Sequence, residues 1–217
     1  MHRRAFLSSG LSSAIAAGLA FAAAPFAASA AMDKALTEEA KALVAKATAY
    51  IQGLKTVSGK FTQTAPNGSM STGVFSMKRP GKARFQYDAP AEMVIVSDGS
   101  NVSVYDARLK TFDRFPLSRT PLNLLLAREV RLDRGVVISA VDPTPTGFTI
   151  SARDGRKEAE GRIVLVFSDE PIALRGWTVV DSQGAQTRVQ LGDLTPSDGL
   201  DASLFVLQDP RPRSNRP

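Results

Sequence analysis

The sequence has no cysteine, and its single histidine is His2. Without cysteine there are no disulfides, no thiolate chemistry and no residue to carry a lipid after an export signal. Without a histidine beyond position 2, Ser-His-Asp and Cys-His nucleophilic sites are excluded from the body of the chain. Structural zinc and the usual catalytic zinc centres lose their ligands for the same reason. No glycine-rich phosphate loop occurs. The sequences "DGR" at Asp154 and "DGLD" near Leu200 are turns, too short for a calcium loop. No cofactor and no metal is therefore expected.

Paired carboxylates remain as possible catalysts, as in glycoside hydrolysis. Asp88, Asp98, Asp106 and Asp113 are the candidates by proximity. Asp98-Gly99 and Asp106 fall where turns are expected, and turn chemistry accounts for an aspartate there. The expectation is a non-enzyme, with a carboxylate-based hydrolase as the rival.

A long apolar run is also lacking after residue 30. Before it, Met1–Ala30 has the zones of a cleavable export signal: basic Arg3-Arg4, an apolar stretch, then Ala28-Ser29-Ala30. Arg3-Arg4-Ala5-Phe6-Leu7 also resembles the twin-arginine motif, so the Sec or twin-arginine route would deliver the chain to the periplasm. The remaining 187 or so residues are enough for one domain with a sizeable core, expected over 31–208. The formal charge of +6 falls to +4 without Arg3 and Arg4, too weak a surplus for a nucleic-acid partner. The tail "DPRPRSNRP", 209–217, reads as flexible and basic.

What the chain does have is alternation. One helix is signalled in "ALTEEAKALVAKATAYIQGL", where Leu36, Leu43, Val44, Ala47 and Ile51 recur at helical spacing and Gly53 offers a stop. Almost everything after it reads as strands, with turn residues every ten or so positions, as in an antiparallel meander. The exception is "SRTPLNLLLAR", Ser118–Arg128, where Pro121 suits a first helical turn and Leu122, Leu125 and Leu126 make one apolar face. Roughly ten strands and two helices imply a curled sheet, because twist accumulates across strands. Two helices roof such a sheet but fill it poorly. The predicted fold is α+β: a curved antiparallel sheet forming an incomplete β-barrel, with a helical lid over an apolar cavity. A fully packed barrel or sandwich is the alternative.

In "GVFSMKRPGKARFQY" the odd positions Phe75, Met77, Ala83, Phe85 and Tyr87 read as the buried face of two strands. Arg79 is in phase with them. A helix end leaves backbone carbonyls unpaired. An arginine rising from the sheet at a strand end could donate to them, which makes Arg79 a candidate lid latch. The bland alternative is an arginine that curls into solvent.

Five segments carry a family resemblance: "FTQT" (61–64), "GVFSMKRPGKARFQYDAP" (73–90), "IVSDG" (95–99), "VYD" (104–106) and "TPLNLLLA" (120–127). In this order and spacing the chain resembles the outer-membrane lipoprotein carrier protein (LolA) family. The resemblance implies an unclosed barrel with a helical lid, and a monomer that shields the acyl chains of lipoproteins. It implies an inner-membrane ABC-type transporter as donor, and an outer-membrane acceptor or the membrane itself as destination. The family's lid-holding arginine falls on Arg79, and aromatic positions fall on Phe85 and Tyr87. Ala83, Phe85 and Ser103 stand where the family often has larger aromatics. Phe75, Met77, Phe85, Ile95, Val102, Val104, Leu122, Leu125, Leu126 and Trp177 are expected to form the apolar interior or its lid. A periplasmic protein-interaction or sensor domain on the same scaffold is the alternative function.

Overall fold

A computed structural model describes residues 36–130, 132, 135–155 and 161–211. The expected export segment Met1–Ala30 and the last six residues of the basic tail lie outside the described residues. All described elements fall in Ala35–Pro217.

Helix α1, Glu38–Gly53, starts at Thr37, whose side chain accepts from the Ala40 N–H at 3.2 Å. Glu38 and Glu39 then face the positive end of the helix dipole. Val44, Ala47 and Ile51, three and four residues apart, are its buried stripe. The strands are β1 Thr56–Thr64, β2 Met70–Lys78, β3 Lys82–Tyr87, β4 Met93–Asp98, β5 Asn101–Asp106 and β6 Thr111–Pro116. A 3-10 turn, Leu117–Arg119, and a four-residue helix α2, Asn123–Leu126, interrupt them. β7 Val136–Thr144, β8 Gly147–Asp154, β9 Arg162–Asp169, β10 Ile172–Val180, β11 Gln186–Leu191 and the two-residue β12 Thr195–Pro196 follow.

Every pairing is antiparallel, in the order β6-β5-β4-β3-β2-β1-β11-β10-β9-β8-β7, with β12 added beside β1. β6 and β7 are the two ends of this path and do not pair with each other, so the barrel is unclosed. Curvature follows from ring contacts. Phe85 on β3 and Trp177 on β10 have centroids 6.0 Å apart. Four inter-strand steps separate those strands, which in a flat sheet would be about 19 Å. The sheet therefore wraps around its concave face. The architecture is the α+β half-barrel expected from the strand count.

Three local details depart from the sequence reading. The stretch "EVRLDRGVVISAV" (129–141) reads as one strand, but among the described residues β7 begins at Val136, after Gly135, whose φ of 72° breaks extended geometry. It then runs through Pro143, which is tolerated because β7 is an edge strand and needs no second ladder. The second helix is a 3-10 turn plus one α turn rather than a helix across 118–128.

On the convex side the chain after β12 crosses the outside of β3 and β4. Phe205, in a 3-10 turn at Ala202–Phe205, is buried there, and Arg84 donates to the Leu204 carbonyl at 3.1 Å. Lys78 reaches the Leu200 carbonyl at 3.4 Å. On the concave side, Gly73 of β2 lies between Phe61 of β1 and Tyr87 of β3. A Cβ at Gly73 would stand 2.1 Å from the Gln86 carbonyl oxygen and 2.7 Å from the Phe61 ring. The missing side chain lets Phe61 cross β2 and pack edge-on against Tyr87, with centroids 4.9 Å apart. Gly73→Ala is expected to cost about 2 kcal/mol or more, the usual scale of overpacking. A urea melt of the purified protein checks this; an unchanged midpoint would contradict the packing described.

Candidate functional site

Two roofs cover the concave face. α1 lies over the β7–β10 side, with Tyr50 edge-on to Phe167 of β9 at 6.3 Å. Beneath it the interior is filled: Phe148 stacks on Phe167 at 5.3 Å, and Ile150, Ile163 and Leu132 are fully buried. The segment from the 3-10 turn through α2 covers the β3–β5 side, with Leu117, Leu125 and Leu126 buried.

Both roofs end at the β2–β3 turn. Arg79 Nη1 donates to the carbonyl of Ile51 in the last turn of α1. Arg79 Nη2 donates to the Ala127 carbonyl, just past α2, at 2.6 Å, and reaches the Arg128 carbonyl at 3.5 Å. These carbonyls lie at helix ends, where the regular i+4 donors run out; that of Ile51 also accepts the Leu54 N–H at 3.2 Å. The partial negative charge of the α1 C-terminus adds to the attraction. Two further bonds fix the turn itself. The Gly81 N–H donates to the Leu126 carbonyl at 2.8 Å, and the buried Ser97 hydroxyl donates to the Gly81 carbonyl at 2.6 Å. Gly81 has φ 76°, and a Cβ there would lie 2.6 Å from Gly99 Cα, so only glycine fits. Gln52 adds a direct tie between the roofs, donating to the Val130 carbonyl at 2.9 Å.

The guanidinium is partly desolvated. Burial lowers the Arg79 pKa from its ordinary value, yet arginine starts high enough to stay a cation. Its Nε–H is buried and has no partner among the described residues. An unmet buried donor costs about 1–3 kcal/mol. The closed arrangement is thus held by strong bonds but is not fully satisfied.

Under the Thr120–Leu122 stretch of the second roof lies an apolar cavity of about 350 Å³. Phe85, Ile95, Val102, Val104, Leu122 and Trp177, six of the residues expected there, line it. Phe75, Met77, Leu125 and Leu126 do not line it. They are sealed in the core behind it, with Phe75 packed against Phe85 at 4.9 Å and Trp177 at 6.0 Å. Gln63, Tyr87, Phe115, Thr120, Pro121, Val179, Thr187 and Val189 complete the lining. Thr187 and Val189 escaped the sequence reading because β11 meets β1 only through long-range pairing, whereas Val179 alternates in phase with Trp177. Gln63 sits in the quoted "FTQT" and alternates in phase with Phe61, a signal that was available. Ala83 is buried on the same face, whereas Ser103 alternates with Val102 and Val104 and lies on the convex side. Ser103 therefore has no bearing on cavity shape. A second hollow of about 810 Å³ runs along the flank of α1 against β7, lined in part by Val44, Ala45, Ala49, Val136 and Ile138.

Three of the four candidate carboxylates, Asp88, Asp98 and Asp106, make structural bonds. Asp98 accepts the N–H groups of Ser100 and Asn101 at 2.8 and 2.7 Å and pairs with Arg114 at 2.9 Å. Burial pushes its pKa up, but those bonds outweigh burial and hold it below the usual carboxylate range. Asp106 accepts the Leu109 N–H at 2.8 Å, and Asp88 accepts the Thr72 hydroxyl at 2.7 Å.

An unclosed antiparallel barrel with a tied-down helical roof and an apolar cavity beneath it defines the class of fold. Residues 52–208 match the family model described as outer membrane lipoprotein carrier protein LolA. The chain belongs to that family, a family of lipoprotein-binding carriers rather than enzymes. The outer-membrane lipoprotein carrier protein of Pseudomonas entomophila is 27% identical over 179 residues, 77% of this chain and 84% of that one. That of Chromohalobacter salexigens is 29% identical over 172 residues, 75% and 80% of the two chains. Among solved structures, a LolA superfamily protein from Nitrosomonas europaea aligns with a TM-score of 0.45 at 12% identity, covering 77% of this chain and 97% of that one. MucB in complex with MucA aligns with a TM-score of 0.40 at 15% identity, covering 78% and 60%.

Tyr87 supplies a pH test of the site. Its hydroxyl donates to Gln63 Oε1 at 2.7 Å, and burial pushes its pKa well above the ordinary tyrosine value. The unfolded chain's tyrosine sheds its proton near pH 10. Tyr87 keeps its own, so above about pH 10 unfolding releases a proton and stability falls as pH rises. Denaturant titrations between pH 8 and 11 are expected to show a shallower alkaline decline for Tyr87→Phe than for the wild type. Equal slopes would contradict the buried, protonated Tyr87.

Proposed function

We propose that this chain is a periplasmic carrier that takes up the acyl chains of lipoproteins at the inner membrane and surrenders them at the outer membrane. The observation that carries the reading is the Arg79 tie, which moors both roofs, one of which covers an apolar cavity. The carrier names of its relatives support the cargo class. Each methylene withdrawn from water is worth about 0.8 kcal/mol, so a multi-acylated anchor cannot cross water bare. The proposed donor is an inner-membrane ABC-type transporter; the destination is an outer-membrane acceptor or the membrane itself.

A cavity of about 350 Å³ lies at the small end of the range for ligand sites. Several acyl chains need more room, and the roofs must move to provide it. Phe85, Ile95, Val102, Val104, Leu122 and Trp177 form the resting floor and wall for the chains. Phe75, Met77, Leu125 and Leu126 become accessible as the roof shifts. Arg79 then acts as a competitor of the cargo. Closure regains its hydrogen bonds, and that gain helps expel the chains at the destination.

Arg79→Leu removes the competitor while keeping an apolar side chain at the strand end. It is expected to stay folded, to bind an apolar fluorescent dye and a lipopeptide about tenfold more tightly, and to transfer lipoprotein to outer membranes more slowly. Fluorescence displacement and a transfer assay measure both. Wild-type affinity together with wild-type transfer in a folded Arg79→Leu protein would overturn the latch. A lipopeptide that fails to displace the dye from the wild type would overturn the carrier reading itself.

A further inference from the structure

The cavity is lined almost entirely by hydrocarbon, with one side-chain amide at its end. Gln63 is the penultimate residue of β1, paired with Val189 of β11 on one side and Ser71 of β2 on the other. Tyr87 is the last residue of β3, two strands away. About 9.6 Å separates strands two apart, and the tyrosine spans it because Gly73, its neighbour on β2, has no side chain to block the path. Phe61 packs edge-on against Tyr87 from the floor of the site, with ring centroids 4.9 Å apart and the rings at 84°. The Tyr87 hydroxyl then donates to Gln63 Oε1 at 2.7 Å.

That bond decides what Gln63 offers. Its oxygen is engaged, so its two Nε2–H donors remain, and neither has a partner among the described residues. Thr187, two residues from Val189 on the same face of β11, brings a hydroxyl to the same end of the cavity. The lining also includes Val104 and Val179, within two residues of the ends of β5 and β10. Donors at the end of an apolar well suit a ligand that is hydrocarbon for most of its length and carries an acceptor where the hydrocarbon stops. An ester or amide carbonyl, the joint between an acyl chain and its head group, is such an acceptor. A plain alkyl chain joined through an ether oxygen is a much poorer one.

We propose that Gln63, positioned by the Tyr87 hydroxyl, is a specificity residue that donates to the acyl carbonyl of the bound lipid, so that the site selects carbonyl-linked chains over alkyl ethers. Tyr87 is a positioning residue: it acts through the orientation of the amide. The inference rests on the carrier reading and deepens it by naming the ligand group recognised.

The test uses two synthetic lipopeptides of equal chain length, one with ester-linked and one with ether-linked chains, each displacing an apolar dye from the full-length mature protein. The wild type is expected to bind the ester about fivefold more tightly. Gln63→Met keeps length and apolar bulk and is expected to bind both equally, at the wild type's ether affinity. Tyr87→Phe is expected to retain a smaller ester preference. Equal binding of both lipopeptides by the wild type overturns the role of Gln63 and leaves the carrier reading standing. Failure of both to bind the wild type overturns the carrier reading as well. An undiminished ester preference in Gln63→Met overturns the proposal; should that variant not fold, an undiminished preference in Tyr87→Phe does so.

Discussion

One half-buried cation organises the concave side of this protein. Arg79 stands at the end of a strand whose inward positions are otherwise apolar, and a guanidinium there needs acceptors to replace the water it loses. The carbonyls of Ile51 and Ala127 do it, and they belong to the ends of two different helices. The positions of both roofs are therefore set from a single point on the sheet. The Gly81 N–H, the Ser97 hydroxyl and the Gln52 amide keep that point rigid. The unmet Nε–H means that a rearrangement which gives Arg79 new partners has less to lose than a fully satisfied site would.

The interior is uneven, and side-chain shape explains why. Under α1, Phe148, Phe167 and Tyr50 reach across and fill the space. A wall of Phe61, Phe75, Phe85 and Trp177, held by three edge contacts and one tilted contact, stands between that packed half and the hollow one. Beyond the wall the facing positions are Val102, Val104, Val179, Thr187 and Val189. These β-branched residues are short and stiff at χ1, so they cannot swing inward to close the gap. A cavity survives because its lining is too short to collapse.

The antiparallel meander, the first helix and the inward arginine were legible because each is a local pattern: alternation, helical spacing, and phase along one strand. The shortage of helices relative to strands correctly foretold an unclosed barrel. Placing individual residues was harder. Alternation assigns Phe75 and Met77 to the inner face but does not reveal that other side chains bury them completely. The β11 lining depends on a strand far along the chain pairing with β1, which no local pattern encodes. The Gln63–Tyr87 bond needed the register across three strands and the gap left by Gly73. Ser103 needed no such information: simple alternation with Val102 and Val104 already puts it outside.

The strap on the convex side has a mechanical meaning. Phe205 and the Arg84 bond brace the backs of the strands that form one wall of the hollow, whereas each helical roof is moored at only a few places. A shell stiffened from behind bends little when something wedges into it from the front. Any swelling of the lumen must then be taken up by the roof, so the work done by an incoming guest is concentrated on the moorings and not dissipated in the staves.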